Sequence, residues 1–159
     1  MKSGFDYKQY QKFAENMGVI KEQFDVWLKM FLLEQAQRCI AECKKRQRAV
    51  GAIDTGAMIN SWYIGGQNIV LKEQGTAKSG GTGYAIDTEH SDIADINVIG
   101  DTLQVEIGNP MEYASFIEYG QRSYQGKYIL TISIDTIQNA LPGRFEKAWK
   151  QFLKNGGIA

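Results

Sequence analysis

Histidine, cysteine and long apolar runs are scarce in this 159-residue chain, and charge of one sign is not in excess. A single histidine, His90, excludes a histidine-cluster metal site. It also leaves any hydrolytic triad dependent on that one ring, with no Gly-x-Ser-x-Gly turn to support it. The two cysteines, Cys39 and Cys43, stand four apart in a helical pattern, so they read as buried thiols on one helix face. Free thiols of that kind fit a reducing compartment and not a disulfide framework. The longest apolar stretch, Trp27–Leu33, is broken by Lys29 and is too short to cross a bilayer. The opening Met-Lys-Ser-Gly-Phe-Asp lacks a signal-peptide core, so the expectation is a chain made in the cytoplasm with no membrane partner. Eighteen Lys and Arg balance eighteen Asp and Glu. That neutrality argues against a dedicated nucleic-acid binder and against an acidic disordered chain.

What is present suits one globular domain, with 43% hydrophobic, 11% aromatic and 23% charged residues. The balanced charge is unevenly laid out. Residues 1–50 hold ten basic and six acidic groups, residues 51–120 two and ten, and residues 121–159 six and two. An acidic middle therefore lies between two basic ends.

Periodicity predicts a short first helix on Tyr10, Phe13 and Met17, with Phe5 ahead of it and Gly18 as its stop. A long helix is predicted from about residue 20 to about residue 50. Phe24, Leu28, Phe31, Ala36, Cys39 and Cys43 trace one stripe, with Ile40 at its margin, while Val26, Met30 and Leu33 trace a second. A helix apolar on two faces needs cover on both, from its own domain and from the first helix or a neighbouring subunit. The helix ends in Lys44-Lys45-Arg46-Gln47-Arg48. Clustered cations release counterions from nucleic acid. No aromatic or glycine-rich partner is interleaved with them, however, and a solvated helix end at the negative pole of the helix dipole explains the run better.

Gly51–Gly56 reads as a turn in which Asp54 or Thr55 caps a short helix through about Ser61. Trp62-Tyr63-Ile64 and Ile69-Val70-Leu71 read as strands around Gly65-Gly66. Residues 74–92 read as a long polar loop of a length that often orders on a partner. A hairpin follows, Ile93–Ile99 with Thr102–Gly108 around a type II′ turn at Gly100-Asp101. Its register pairs Val98 with Leu103, Ile96 with Val105 and Ala94 with Ile107, and sets Asp95 opposite Glu106. Like charges so opposed need solvent or a cationic surface. Next come a short helix, Glu112–Tyr119, stopped by Gly120, and a polar loop over 121–127. A helix over Tyr128–Leu141 ends before Pro142, and a last amphipathic helix carries Phe145, Ala148, Trp149, Phe152 and Leu153. No internal repeat or second domain appears.

Convergent reactive groups are few. His90 sits among Asp87, Glu89, Ser91 and Asp92 without regular metal-ligand spacing, so a solvated loop explains it better. Gly75–Thr82 mimics a phosphate-binding loop, but Gly81 stands where the lysine belongs and no helix follows. Glu112 and Glu118 are six apart and do not share a helix face. The expected roles are one solvated carboxylate and one structural hydrogen bond. No catalytic, cofactor or metal residues are assigned, and the reading is of a binding or structural protein and not an enzyme.

Asp54-Thr55-Gly56-Ala57-Met58-Ile59-Asn60-Ser61 is followed by Val105-Glu106-Ile107-Gly108 and then by Tyr113-Ala114-Ser115-Phe116-Ile117-Glu118-Tyr119-Gly120. This order resembles the neck and tail-completion proteins of tailed bacteriophages, the tail-component family of lambdoid phages, over roughly residues 20–155. That family has a basic N-terminal helix, an Asp-Thr-Gly-x-Leu-x-x-Ser turn, Val-x-Val-Gly, Tyr-Ala-x-x-Val-Glu-x-Gly and a C-terminal helix. The chain departs from it at Gly51-Ala52-Ile53, Gln121-Arg122 and Tyr128-Ile129-Leu130, and residues 74–92 look like an insertion. By resemblance, Asp54 and Thr55 cap the short helix and Gly56 permits a tight backbone. Gly108 ends the strand, Tyr113 packs onto the sheet, Glu118 bonds backbone or donors near Thr55, and Gly120 is a left-handed stop.

The expectation is a single α+β domain over residues 1–159. It has an N-terminal helical arm at 1–19, a core at 20–155, and a small antiparallel sheet packed by the long helix and shorter C-terminal helices. The resemblance implies a structural virion protein of the neck, completing the tail and joining it to the head as a subunit of a six-fold ring. Its implied partners are further copies of itself, a head-closure or connector protein, and a tail terminator, tube or sheath, with passive contact to DNA in the lumen. Val26, Met30, Leu33, Asp95 and Glu106 are candidate interface residues. The rival readings are a nucleic-acid-binding module using residues 44–48 and a phage-associated hydrolase.

Overall fold

The computed structural model describes residues 5–6, 8–16, 18, 21–53, 56–65, 71–76, 82–86 and 96–155, with the backbone alone at 5–6, 71–76 and 82–86. The fold is mixed α and β. Two long helices, α2 (Lys21–Ala49) and α4 (Ile129–Lys154), form its axis. They run antiparallel: Phe24 meets Phe152, Phe31 meets Phe145, and Arg144 Nη1 donates to Gln35 Oε1 at 3.2 Å. The apolar stripe predicted on α2 is the buried one, with Phe24, Leu28, Phe31, Ala36, Cys39 and Cys43 all inside.

Two cores lie along this axis. The first joins Phe24, Trp27, Leu28 and Phe31 of α2 to Phe145 and Phe152 of α4. It is closed by Ala14 of α1 (Lys8–Asn16) and by Ile96 and Leu103 from the sheet. Its rings meet edge-on and offset, as aromatic quadrupoles prefer, with Trp27 and Phe152 centroids 4.6 Å apart and Tyr10 and Phe145 also 4.6 Å apart. The second core holds Cys39, Cys43, Met58, Trp62, Ile129 and Ile134. It packs under α3 (Ala114–Tyr119) through Ala114 and Ile117.

The largest described sheet has three antiparallel strands in the order β1 (Phe5–Asp6), β6 (Thr102–Val105), β5 (Ile96–Ile99). Val98 pairs with Leu103 and Ile96 with Val105, the register read from the sequence. Gly100 has φ +59° while Asp101 keeps a negative φ, which is the type II′ combination. The expected Ala94–Ile107 pair has Ala94 outside the described residues. Ile107 pairs with Ile64, in a two-stranded ladder between β2 (Tyr63–Ile64) and β7 (Ile107–Gly108).

Two expectations are corrected. β2 pairs with β7, and β3 (Leu71–Thr76) pairs with β4 (Thr82–Ile86). Consequently part of the expected 74–92 loop is paired strand, with Gly75 in β3 and Gly83 in β4. Phe5, ahead of the first helix, pairs with Leu103 in β1. Finally, the helices expected on either side of Pro142 are one continuous α4. Proline removes one helical N–H and crowds the preceding turn. Buried Ile134 before it and Phe145 and Phe152 after it pack against the same α2, and this tertiary contact holds the helix through the defect.

Candidate functional site

The segment from Gly108 to Thr131 carries most of the motif residues, and Glu118 is its centre. Pairing ends at Gly108, the last residue of β7, opposite Tyr63. A Cβ at position 108 would lie 2.5 Å from the Tyr63 hydroxyl oxygen and 2.6 Å from Cζ of the ring, so only glycine admits the tyrosine there. Burial, followed by the charge of Glu106, pushes the Tyr63 phenol above its ordinary pKa. Its hydroxyl donates to Glu106 Oε1 at 3.4 Å. Asn109 then ties the chain to the 56–60 turn, donating from Nδ2 to the Met58 carbonyl at 2.7 Å. Gly56, at φ +85°, opens that turn, and its carbonyl accepts from Asn60 N–H at 3.1 Å. Asp54 and Thr55 lie outside the described residues. The helix expected through Ser61 is, over 57–60, a turn.

Tyr113 is the N-cap residue of α3. Its ring is exposed, and its carbonyl accepts from Phe116 and Ile117 N–H groups. Glu118, one turn on, is buried. Its Oε2 accepts from Leu130 N–H at 2.9 Å, and its Oε1 accepts from Thr131 N–H at 2.8 Å and from the Thr131 hydroxyl at 2.7 Å. These amides belong to the first turn of α4, whose donors have no intrahelical partner. The carboxylate therefore caps α4 from another element and places negative charge at the positive pole of the helix dipole. Its main-chain carbonyl accepts from Tyr128 N–H at 3.0 Å. Glu112, by contrast, is exposed.

Gly120 ends α3 at φ +79°, ψ 170°, a region that essentially only glycine occupies and distinct from left-handed helical backbone. A Cβ there would come within 2.6 Å of Gly126 N. The close approach belongs to a small hairpin, β8 (Gly120–Gln121) with β9 (Tyr124–Gln125). Arg122 at φ +52° and Tyr128 at φ +49° both sit in left-handed backbone that side chains rarely adopt.

The proposed interface residues are dispersed. Val26 and Met30 are 42% and 51% exposed on α2, Leu33 is half-buried against the first core, and Glu106 is exposed at the break between β6 and β7. Asp95 lies outside the described residues, as does His90. The basic run at the end of α2 is partly neutralised, with Glu42 3.4 Å from Arg46 and 3.6 Å from Lys45.

One residue of that run escaped the sequence reading. Gln47 is buried, donating from Nε2 to the Ala52 carbonyl at 2.8 Å and accepting from the Trp62 indole N–H at 3.0 Å. The signal was the spacing of 39, 43 and 47, which continues the buried stripe one more turn. Both cysteines are free and buried. The hydrogen bond to Cys43, together with burial, pushes the Cys39 thiol well above its ordinary range and keeps it protonated.

A cavity of about 70 Å³ lies between α2, α4 and the β6–β7 strands, lined by Leu32, Ala36, Cys39, Val105, Ile134 and Leu141 among others. Its lining is chiefly aliphatic, and Gln35 at its edge is occupied by Arg144. Among the described residues no group of three or more His, Cys, Asp and Glu is placed to hold a metal, and no helix is long and apolar enough to cross a membrane. Glu118 thus acts on backbone by capping α4, and Gly120 by admitting the close approach of the 120–126 hairpin.

No curated protein and no solved structure matches the chain. The profile of one family does match, over residues 11–120, a span that contains α2, the three strands β5 to β7 and α3 through Gly120. That family is described as "Bacteriophage HK97-gp10, putative tail-component". The chain belongs to this HK97 gp10-like family of bacteriophage tail components.

Proposed function

We propose that the protein is a ring-forming structural subunit of the virion neck that completes the tail and joins it to the DNA-filled head. The observation that carries the reading is the family match over residues 11–120, which makes a structural tail protein the starting point. Two features support the finer role. The hydrogen bonds and close approaches of the Gly108–Gly120 segment are spent on holding backbone, as a scaffold subunit requires. The surface also carries two separate groups of exposed apolar side chains, Val26 and Met30 on α2 and Phe116 and Tyr119 on α3. A closed ring needs two different complementary patches on every subunit. Its partners in this reading are further copies of the chain, a head-closure or connector protein and a tail terminator, tube or sheath.

Deleting the gene from its phage tests the role. Electron micrographs of the lysate are expected to show filled heads and finished tails that remain unjoined, with joining restored by the protein supplied in trans. Infectious particles of normal appearance in the deletion would remove the neck role.

A further inference from the structure

We infer that the cup between α1, α2 and the β5–β6 turn binds a phosphate group, carried either on a small ester or on a nucleic-acid backbone. The cup is defined by its own side chains and does not depend on the neck role.

A cavity of about 350 Å³ opens there, a volume within the range of small-molecule sites. Buried Leu28 and Leu103 give it an apolar lining. Its charged lining comes from three elements, with Lys8 on α1, Lys21, Asp25 and Lys29 on α2, and Asp101 at the turn. Lys8 Nζ and Asp101 Oδ1 are paired at 2.8 Å, and this bridge joins α1 to the turn. Lys21 and Lys29 have no ion-pair partner among the described residues. They stand slightly more than two turns apart, so both lie on one side of α2. Lys29 is half-buried. An ammonium in that position has given up hydration without gaining a counter-charge, and an anion held between the two lysines supplies one.

Asp25 lies between them at helical spacing, is half-buried, and is ion-paired with neither. Burial pushes its carboxyl above the ordinary carboxylate range, against the pull of Lys21 and Lys29. Such a group accommodates an anion by taking up a proton, which turns a repelling charge into a hydrogen-bond donor. The choice of phosphate over carboxylate follows from the cations. Among the described residues the lining holds three lysines and no arginine. The arginine fork matches a planar carboxylate, whereas lysines from two helices act as separate point charges around a tetrahedral anion.

The test titrates the purified chain with inorganic pyrophosphate and with adenosine monophosphate, reading amide chemical shifts. One saturable site is expected, with the shifts gathered at residues 8–11, 21–29 and 98–103. Lys21→Gln/Lys29→Gln is expected to weaken binding by about tenfold or more, since two contacts to a charged group are lost. Lys44→Gln/Lys45→Gln removes the same charge from the far end of α2 and should leave the affinity unchanged. Asp25→Asn deletes the repelling carboxylate while keeping a donor, so it should tighten binding several-fold at neutral pH. Loss of a merely structural carboxylate would not do so. Circular dichroism controls for folding in each variant. A duplex DNA probe separates the two sources. Binding that falls in Lys21→Gln/Lys29→Gln and survives in Lys44→Gln/Lys45→Gln assigns backbone phosphate, while a response to the small compounds alone assigns a free ester. The inference is overturned by no saturable binding, by shifts away from the cup, or by equal weakening in both lysine pairs. Binding in Asp25→Asn that is no tighter, or an oligoglutamate peptide that binds as tightly as pyrophosphate, overturns it equally.

Discussion

At the scale of single residues, Glu118 has the most at stake. Three donors of the first α4 turn converge on its buried carboxylate, and none has an alternative acceptor within the helix. Glu118→Ala is expected to lower the unfolding free energy by about 2–4 kcal/mol, since buried donors lose bonds to a charged group. Glu118→Gln should recover only part of that, because its amide nitrogen must face either Leu130 N–H or Thr131. Urea denaturation of the three proteins checks the order, and equal midpoints would mean that water replaces the carboxylate at no cost. Gln47→Leu isolates a second buried bond, leaving the Trp62 indole N–H and the Ala52 carbonyl unpaired, and should cost about 1–3 kcal/mol. The structural carboxylate was legible because Glu118 lies in a recognisable motif. Gln47 was not, because a polar residue inside a basic run looks solvated until the partner indole is known to lie beneath it.

The elements show a similar division. The buried stripe of α2 and the β5–β6 hairpin follow from periods of about 3.6 and 2, which the sequence carries locally. The β2–β7 ladder is two residues long and joins segments more than forty residues apart, so no periodicity announces it. The β1–β6 contact is equally short. The union of α4 across Pro142 is a different case, because the local signal is real and packing overrides it. Pro142 is exposed and contributes no N–H to its helix. Pro142→Ala is therefore expected to stabilise the protein, by up to about 3 kcal/mol on helix propensity and recovered bonding. The gain should appear as a higher Tm with an unchanged far-UV spectrum. An unchanged or lowered Tm would mean that the surrounding helix has adapted to the proline, so that alanine recovers nothing.

For the molecule as a whole, the question is whether two cores behave as one domain. Each is built from the same two helices. Phe24 to Phe31 and Phe145 to Phe152 close the first, while Cys39, Cys43, Ile129 and Ile134 close the second. Between them lie Gln35 and Arg144, joined across the helix pair, so neither core can open without unzipping a helix that the other holds. The single-domain expectation becomes a proposal about cooperativity. Trp27 and Trp149 report on the first core, and Trp62 on the second. A variant retaining only Trp62, with Trp27→Phe and Trp149→Phe, would have its fluorescence unfolding curve compared with the helix signal at 222 nm, which both cores share. Coincident urea midpoints and slopes are expected for one cooperative unit. A Trp62 transition separated from the loss of helix would divide the molecule into a motif-bearing half around Glu118 and an aromatic half. The exposed Phe116 and Tyr119 of α3 and the exposed Val26 and Met30 of α2 would then have to be treated as sites on two independently moving bodies.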